Sequence, residues 1–116
     1  MNQPKRTITL AFLLTCLLSF FSPLGFSCTL VENNPKEPNY GITVFTTAWC
    51  PYCKKTVALL NNLNVNYTNC DIEKSTTAYE KYRAVGGNGV PLILIGNLKI
   101  DGYEPELIRT SIQKLR

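Results

Sequence analysis

The chain contains no histidine among its 116 residues. Without an imidazole it cannot carry a Ser-His-Asp triad, a histidine general base or a zinc site that uses histidine. Its 12 basic and eight acidic side chains are interspersed and form no basic stripe, so we expect no nucleic-acid partner. Five cysteines are too few for a disulfide-dense scaffold but enough for one specialised pair. What remains is a small thiol-bearing domain.

Residues 1–27 are predicted to be a secretory signal peptide. Lys5 and Arg6 precede an apolar run over 8–21, and small side chains at Gly25 and Ser27 lead up to Cys28. As a helix the apolar run would span only about 21 Å, short of the ~30 Å hydrocarbon core of a bilayer. The protein is therefore expected to be exported, with the bacterial periplasm as the expected compartment.

Two alternatives stay open at the N-terminus. An uncleaved signal would act as a membrane tether, because no charged residue lies between Arg6 and Glu32. Cleavage after Ser27 would make Cys28 the first residue, as in bacterial lipoproteins, although Gly25 stands where that pattern usually has leucine. Both alternatives keep the protein exported.

The remainder of the chain divides into a polar segment and one domain. Residues 28–39 contain two prolines and are predicted to be a linker or an ordered extension, and the domain follows at 40–116. Hydrophobic periodicity in the domain predicts the order βαβαββα, that is, an α/β fold with a four-stranded mixed sheet flanked by helices. The predicted strands are 42–46, 64–72, 91–95 and 98–100, and the predicted helices are 51–63, 75–85 and 105–115.

The sequence Cys50-Pro51-Tyr52-Cys53 is the candidate reactive centre. It lies where a strand gives way to a helix, and the unpaired amides of a first helical turn favour an anion, here the thiolate of Cys50. Pro51 suits the first helical position because it has no N–H to lose. Cys53 is one turn further on, so the two sulfurs can meet. We predict Cys50 as the exposed nucleophile and Cys53 as the more buried resolving thiol.

Three other interpretations of the cysteine pair compete with this one. A zinc site would need two further ligands from Cys16, Cys28 and Cys70, and Cys16 leaves with the signal, so no metal is expected. A structural disulfide closing so short a loop would constrain the unfolded chain very little. In the third interpretation, Cys50 and Cys53 are two core residues that lie close in sequence by coincidence. Cys70 itself is predicted to be a small core residue, with a Cys28–Cys70 bridge as the alternative.

Gly89-Val90-Pro91 is the predicted second half of the site. A proline that leads a strand after a glycine run is a candidate for a cis peptide bond, a conformation usually kept for shaped turns. It would present the backbone of Val90 beside the Cys50 sulfur, where an extended thiol peptide can pair with it as an added strand. The alternative is a trans Pro91 that begins an edge strand.

Together these motifs resemble the glutaredoxin branch of the thioredoxin superfamily. The resemblance implies a thioredoxin-like fold and an enzyme that reduces disulfides or glutathione mixed disulfides, with no bound cofactor and with glutathione as the usual co-substrate and electron donor. Expected partners are therefore disulfide-containing proteins or glutathione, and an unidentified electron donor. It also implies that Cys50 and Cys53 are catalytic and that substrate contacts come from Trp49, Pro51, Tyr52, Val90, Pro91, Gly102 and Tyr103.

Two positions depart from the glutathione-using pattern. Thr47-Ala48-Trp49 precedes the first cysteine where many such members carry Lys or Arg, and Asp101-Gly102-Tyr103-Glu104 replaces Gly-Gly-x-Asp. The latter form is similar to glutaredoxin-like reductants that do not depend on glutathione. The competing hypothesis from another functional class is a redox-sensing binding module of the same fold that does not turn over.

Overall fold

The computed structural model describes residues 28–116. The predicted signal peptide, which would also form the membrane tether, lies outside the described residues. The predicted lipidation site, Cys28, is the first residue described. No helix within 28–116 is long and apolar enough to cross a bilayer. In chain order the elements are β1 (Cys28–Val31), β2 (Ile42–Thr46), α1 (Pro51–Asn62), β3 (Tyr67–Asp71), α2 (Thr76–Ala84), β4 (Leu92–Ile95), β5 (Leu98–Asp101) and α3 (Pro105–Gln113).

The strands form one mixed sheet with the order β1-β3-β2-β4-β5. The central strand β2 runs parallel to β3 and antiparallel to β4, and β5 pairs with β4 as the second arm of a hairpin. The parallel pair is joined by α1, as a βαβ crossover requires. The predicted α/β fold is confirmed, and the seven predicted elements are present with ends that move by a few residues.

The strand count predicted from the sequence was wrong. The described part of the chain has five strands, because the start of the predicted linker forms β1 and pairs antiparallel with β3, bringing Cys28 opposite Cys70. A disulfide joins these two residues, which is the predicted alternative for Cys70, and the Cys70 side chain is also buried in the core. A four-residue strand of mixed polarity carries too little periodicity to be recognised, but it covers an edge of β3 that would otherwise be open.

The extension after β1 is held by asparagine side chains. The buried Asn66 accepts from the backbone N–H of Asn34 at 2.8 Å and donates to the carbonyls of Asn34 and Glu37 at 2.8 and 3.2 Å. Asn33 donates to the carbonyl of Val65 at 2.8 Å. The polar segment was predicted to be either a linker or an ordered extension, and these contacts make it an ordered extension.

Helices cover both faces of the sheet. Val44 points to the larger apolar core, which includes Leu60 from α1 and Ile108 from α3. Its neighbour Phe45 points to the opposite face and packs with Tyr82 of α2. This alternation fixes β2 in the middle of the molecule. The loop after β2 and the first turn of α1 consequently emerge at one end of the sheet.

Candidate functional site

Cys50 caps the N-terminus of α1 with its own sulfur. The residue is extended, with φ −78° and ψ 115°, and the backbone N–H of Cys53 donates to its Sγ at 3.1 Å. Pro51 follows at the first helical position, as predicted, and presents no N–H of its own. The amides of a first turn carry partial positive charge, and the Cys50 sulfur is the acceptor that meets one of them.

Cys53 is the neutral member of the pair. Burial, followed by its hydrogen bond to the Cys50 side chain, raises the pKa of the Cys53 thiol to about 12, with smaller contributions in the same direction from the charges of Cys50 and Asp71. A hydrogen bond to the backbone of Thr47 lowers that pKa only in part. Both cysteines are unpaired, so the structure represents the reduced dithiol.

Exposure does not distinguish the two cysteines as expected. Cys50 and Cys53 are each 3% exposed, so the prediction of an exposed Cys50 was wrong. Cys50 Sγ donates a hydrogen bond to the carbonyl oxygen of Val90 at 3.8 Å.

The Val90–Pro91 peptide bond is cis, as the sequence predicted. The carbonyl of Pro91 accepts a hydrogen bond from the N–H of Gly102 at 2.9 Å. Gly102 has a φ of +86°, a left-handed conformation that side chains rarely adopt, which explains a glycine at this turn. The turn thereby holds Tyr103 beside the reactive centre.

Exposed aromatic side chains surround the dithiol. Trp49 is 67% exposed, and its indole N–H donates to the carboxylate of Glu73 at 2.5 Å. Tyr52 is 57% exposed and stacks on Tyr103, with ring centroids 6.3 Å apart. The ammonium of Lys55 lies 5.2 Å from the centre of the Tyr52 ring. Trp49 and Tyr52, the neighbours of Cys50 and Cys53 in sequence, thus expose aromatic surface next to the dithiol.

The nine site residues predicted from the sequence occupy one end of the molecule, on the β2–α1 junction, the turn before β4 and the turn after β5. Three further residues were missed. Glu73 fixes the Trp49 indole, and Asp71 and Thr47 lie behind Cys53. Their only sequence signal is a position at or just after the end of a strand. No group of three or more Cys, Asp or Glu side chains that could hold a metal occurs within 28–116.

Comparison with known proteins identifies similar chains. The family model described as glutaredoxin matches residues 42–100, half of the chain. The glutaredoxin of Pseudomonas aeruginosa is 36% identical over 65 residues, which cover 54% of this chain and 76% of that protein. Glutaredoxin 1 of Rickettsia conorii is 39% identical over 66 residues, or 54% of this chain and 65% of that protein.

Solved structures give the same result for the fold. NrdH-redoxin of Escherichia coli, a glutaredoxin-like protein described as having a thioredoxin-like activity profile, is 26% identical with a TM-score of 0.55 over 60% of this chain and 91% of that one. The glutaredoxin of Methanosarcina mazei is 20% identical, with a TM-score of 0.61 over 75% of this chain and 88% of that one. The second likeness shows a thioredoxin-like fold alone.

Proposed function

Because the chain belongs to the glutaredoxin family, a family of thiol–disulfide oxidoreductases, we propose that it reduces or exchanges protein disulfides or glutathione mixed disulfides through Cys50 and Cys53. The observation that carries this proposal is the position of Cys50 Sγ. It accepts the Cys53 N–H at 3.1 Å and lies 3.8 Å from the carbonyl oxygen of Val90. One sulfur thus caps the helix that carries the second cysteine and lies beside backbone that can align a substrate.

The reaction proceeds in two exchanges. The thiolate of Cys50 attacks one sulfur of the substrate disulfide, forms a mixed disulfide and expels the other substrate sulfur as a thiolate. Cys53 then loses its proton and attacks Cys50 Sγ, which releases the second substrate thiolate and leaves a Cys50–Cys53 disulfide. An electron donor returns the protein to the dithiol. An extended segment of the substrate pairs with the backbone at Val90 during both steps.

Protein disulfides are the substrate class that we favour. The loop before Cys50 supplies the buried Thr47, then Ala48 and the exposed Trp49, and no cation for the carboxylate of a small peptide. The stacked Tyr52 and Tyr103 instead provide apolar contact surface of the kind that protein segments use. Glutathione is retained as the second candidate co-substrate, and no bound cofactor is required.

Turnover with two substrates tests the proposal. A glutathione mixed disulfide and a protein disulfide are each supplied, with dithiothreitol or glutathione as the reductant, to the wild type, Cys50→Ser and Cys53→Ser. We expect Cys50→Ser to lose both activities and Cys53→Ser to lose reduction of the protein disulfide, because its mixed disulfide is not resolved internally. A wild type inactive on both substrates would contradict the proposal and favour the redox-sensing binding module.

We also propose that the protein is exported, to the periplasm of a bacterium. The Cys28–Cys70 disulfide supports this, because structural disulfides persist mainly in oxidising compartments. Cell fractionation and the intact mass of the isolated protein test it. A mass beginning at Cys28 indicates signal cleavage, added acyl chains indicate a lipoprotein, and a full-length chain in the membrane indicates a tether. Recovery in the cytoplasm would contradict export.

A further inference from the structure

One asparagine–glycine pair occurs in the sequence, at Asn88-Gly89, in the loop between α2 and the cis-proline turn. Both residues are exposed and lie outside any helix or strand. Asparagine is among the chemically least stable residues of proteins at raised temperature. Its side-chain amide can be attacked by the backbone nitrogen of the next residue, and a glycine leaves that nitrogen open because it has no Cβ.

The two reacting groups of this pair are unengaged. Neither the side-chain amide of Asn88 nor the backbone N–H of Gly89 has a hydrogen-bond partner within 28–116. A Cβ on Gly89 would meet nothing within 4 Å, so the nitrogen and the side chain have room to approach each other. Six other asparagine side chains in the described part of the chain are instead held by hydrogen bonds: Asn33, Asn34, Asn39, Asn61, Asn66 and Asn69. None of these six is followed by glycine.

The loop is fixed on both sides of this asparagine. The backbone N–H of Gly87 donates to the carbonyl of Tyr82 at 2.9 Å, and the Tyr82 hydroxyl donates to the carbonyl of Gly89 at 3.0 Å. Val90 follows directly, and its carbonyl accepts the hydrogen bond of Cys50 Sγ at 3.8 Å. A change in the backbone between Gly87 and Gly89 therefore reaches the residue that contacts the nucleophilic sulfur.

A new carboxylate in this loop would face an open groove next to the site. Asn88 lines the groove together with Val90 and Gly102. The charged side chains among its described lining residues are Lys99 and Asp101, one of each sign. One further carboxylate would therefore give the groove a net negative charge.

We propose that Asn88-Gly89 is a site of spontaneous deamidation and that the modified loop slows disulfide exchange at Cys50. The backbone nitrogen of Gly89 forms a bond to the side-chain carbonyl carbon of Asn88. The side-chain carbon–nitrogen bond breaks, and ammonia leaves with the proton that the backbone nitrogen loses. Water then opens the cyclic imide at either carbonyl carbon, which gives aspartate or isoaspartate. No enzyme, oxidant or reductant takes part.

Both products alter the surroundings of the dithiol. Aspartate adds a negative charge, and isoaspartate adds the same charge and lengthens the main chain by one carbon. Negative charge near Cys50 opposes formation of its thiolate and repels anionic substrates. This consequence for exchange rests on the proposed function, whereas the deamidation itself does not.

Peptide mapping of aged protein tests the modification. The protein is kept for a week at pH 8.5 and 37 °C and then digested with trypsin, which cuts after Arg83 and Lys99 and leaves Asn88 and Asn97 in one peptide. We expect a mass gain of about 1 Da, assigned by fragmentation to Asn88 and accompanied by isoaspartate. Asn97, which precedes leucine, and the same peptide from Asn88→Gln should stay unmodified. An unmodified Asn88, or equal modification at Asn97, would overturn the proposal.

The rate at which Cys50 attacks Ellman's reagent, followed by the absorbance of the released thiolate, tests the consequence. Wild type and Asn88→Gln are assayed fresh and aged, each reduced with dithiothreitol and desalted first so that oxidation during ageing does not contribute. The two fresh proteins should react at the same rate, and so should aged Asn88→Gln. The aged wild type should react about threefold more slowly once most of it is modified, because the new carboxylate repels the dianionic reagent.

Two results would overturn the consequence: a modified wild type that reacts as fast as the fresh protein, or equal slowing of aged Asn88→Gln. Fresh wild type whose Cys50 does not attack the reagent would instead contradict the proposed function, and the peptide map would still decide the deamidation.

Discussion

At the scale of single residues, the burial of Cys53 links the stability of the reduced protein to pH. Its pKa is about 12 in the folded protein against an ordinary value of 9.0, so above pH 9 the unfolded chain loses the proton first. The reduced protein should therefore lose stability as pH rises from 9 towards 12, by at most about 1.4 kcal/mol per pH unit, and show no such loss below pH 9.

Urea unfolding of the reduced wild type and of Cys53→Ser between pH 7 and 10.5 measures this effect. Burial also raises the pKa values of Tyr67 and Tyr82, which act in the same direction in both proteins, so the difference between the two isolates Cys53. Parallel loss of stability in the two proteins would show that the Cys53 thiol is not responsible.

Gly87 and Gly89, two of the three glycines before the cis-proline turn, differ sharply in the space around them. A Cβ on Gly87 would lie 2.3 Å from the ring of Tyr82, whereas a Cβ on Gly89 meets nothing within 4 Å. The Tyr82 ring packs on Phe45 and its hydroxyl donates to the carbonyl of Gly89, so it cannot move without disturbing the core. Gly87→Ala should cost about 1–3 kcal/mol in unfolding free energy. Gly89→Ala is the control, and equal losses in both variants would refute the steric explanation.

At the scale of elements, β1 is fastened to β3 by both hydrogen bonds and a disulfide. The Cys28–Cys70 bridge spans 42 residues, and closing a loop of that length in the unfolded chain corresponds to roughly 4 kcal/mol by chain entropy alone. Cys28→Ser removes the bridge from its more accessible end and leaves Cys70 in the core. We expect a loss of about 2–4 kcal/mol and faster proteolysis within 28–39, measured by urea unfolding and limited digestion.

Disulfide exchange by Cys50 should be unaffected by Cys28→Ser. Cys28 and Cys70 lie on β1 and β3, whereas the hydrogen-bond partners of Cys50 Sγ are Cys53 and Val90. The rate at which Cys50 attacks Ellman's reagent, followed by the absorbance of the first thiolate released, should therefore remain within about twofold of the wild-type rate. A much slower attack by Cys50 in Cys28→Ser would mean that β1 supports the site directly.

The elements recovered from sequence are those with strong local signals. β2 has the predicted bounds because Ile42-Thr43-Val44-Phe45-Thr46 is uniformly β-branched or aromatic, and α2 begins after Ser75, whose hydroxyl accepts from Ala78 N–H as an N-cap should. β1 was missed because its pairing partner is about 40 residues away and nothing local requires it. The exposure of Cys50 was predicted wrongly for a similar reason, since its partner Val90 lies 40 residues further along the chain.

At the scale of the whole molecule, the C-terminal Arg116 meets the extension that follows β1, at the end of α1 remote from the dithiol. Arg116 donates to the carbonyl of Leu63 at 2.7 Å and pairs with Glu37 at 3.1 Å, next to the buried Asn66 that holds the extension. Leu63 ends the helix that Cys50 begins, and a helix of 12 residues is about 18 Å long. The contacts that hold the extension are thus separated from the dithiol by the length of α1.

This separation predicts that stability and exchange can be changed independently. Asn66→Ala leaves the backbone groups of Asn34 and Glu37 without their partner and should lower the unfolding free energy by about 2–3 kcal/mol, since each buried group left unsatisfied costs about 1–3 kcal/mol. Asn62→Ala, on the exposed end of α1, should stay within about 0.5 kcal/mol of the wild type. Urea unfolding gives both values, and Ellman's reagent gives the rate at Cys50. That rate should be equal in all three proteins, because the first turn of α1 is held by β2 and by the Val90 and Gly102 turns. A slower Cys50 in Asn66→Ala alone would show that the extension acts on the site through α1.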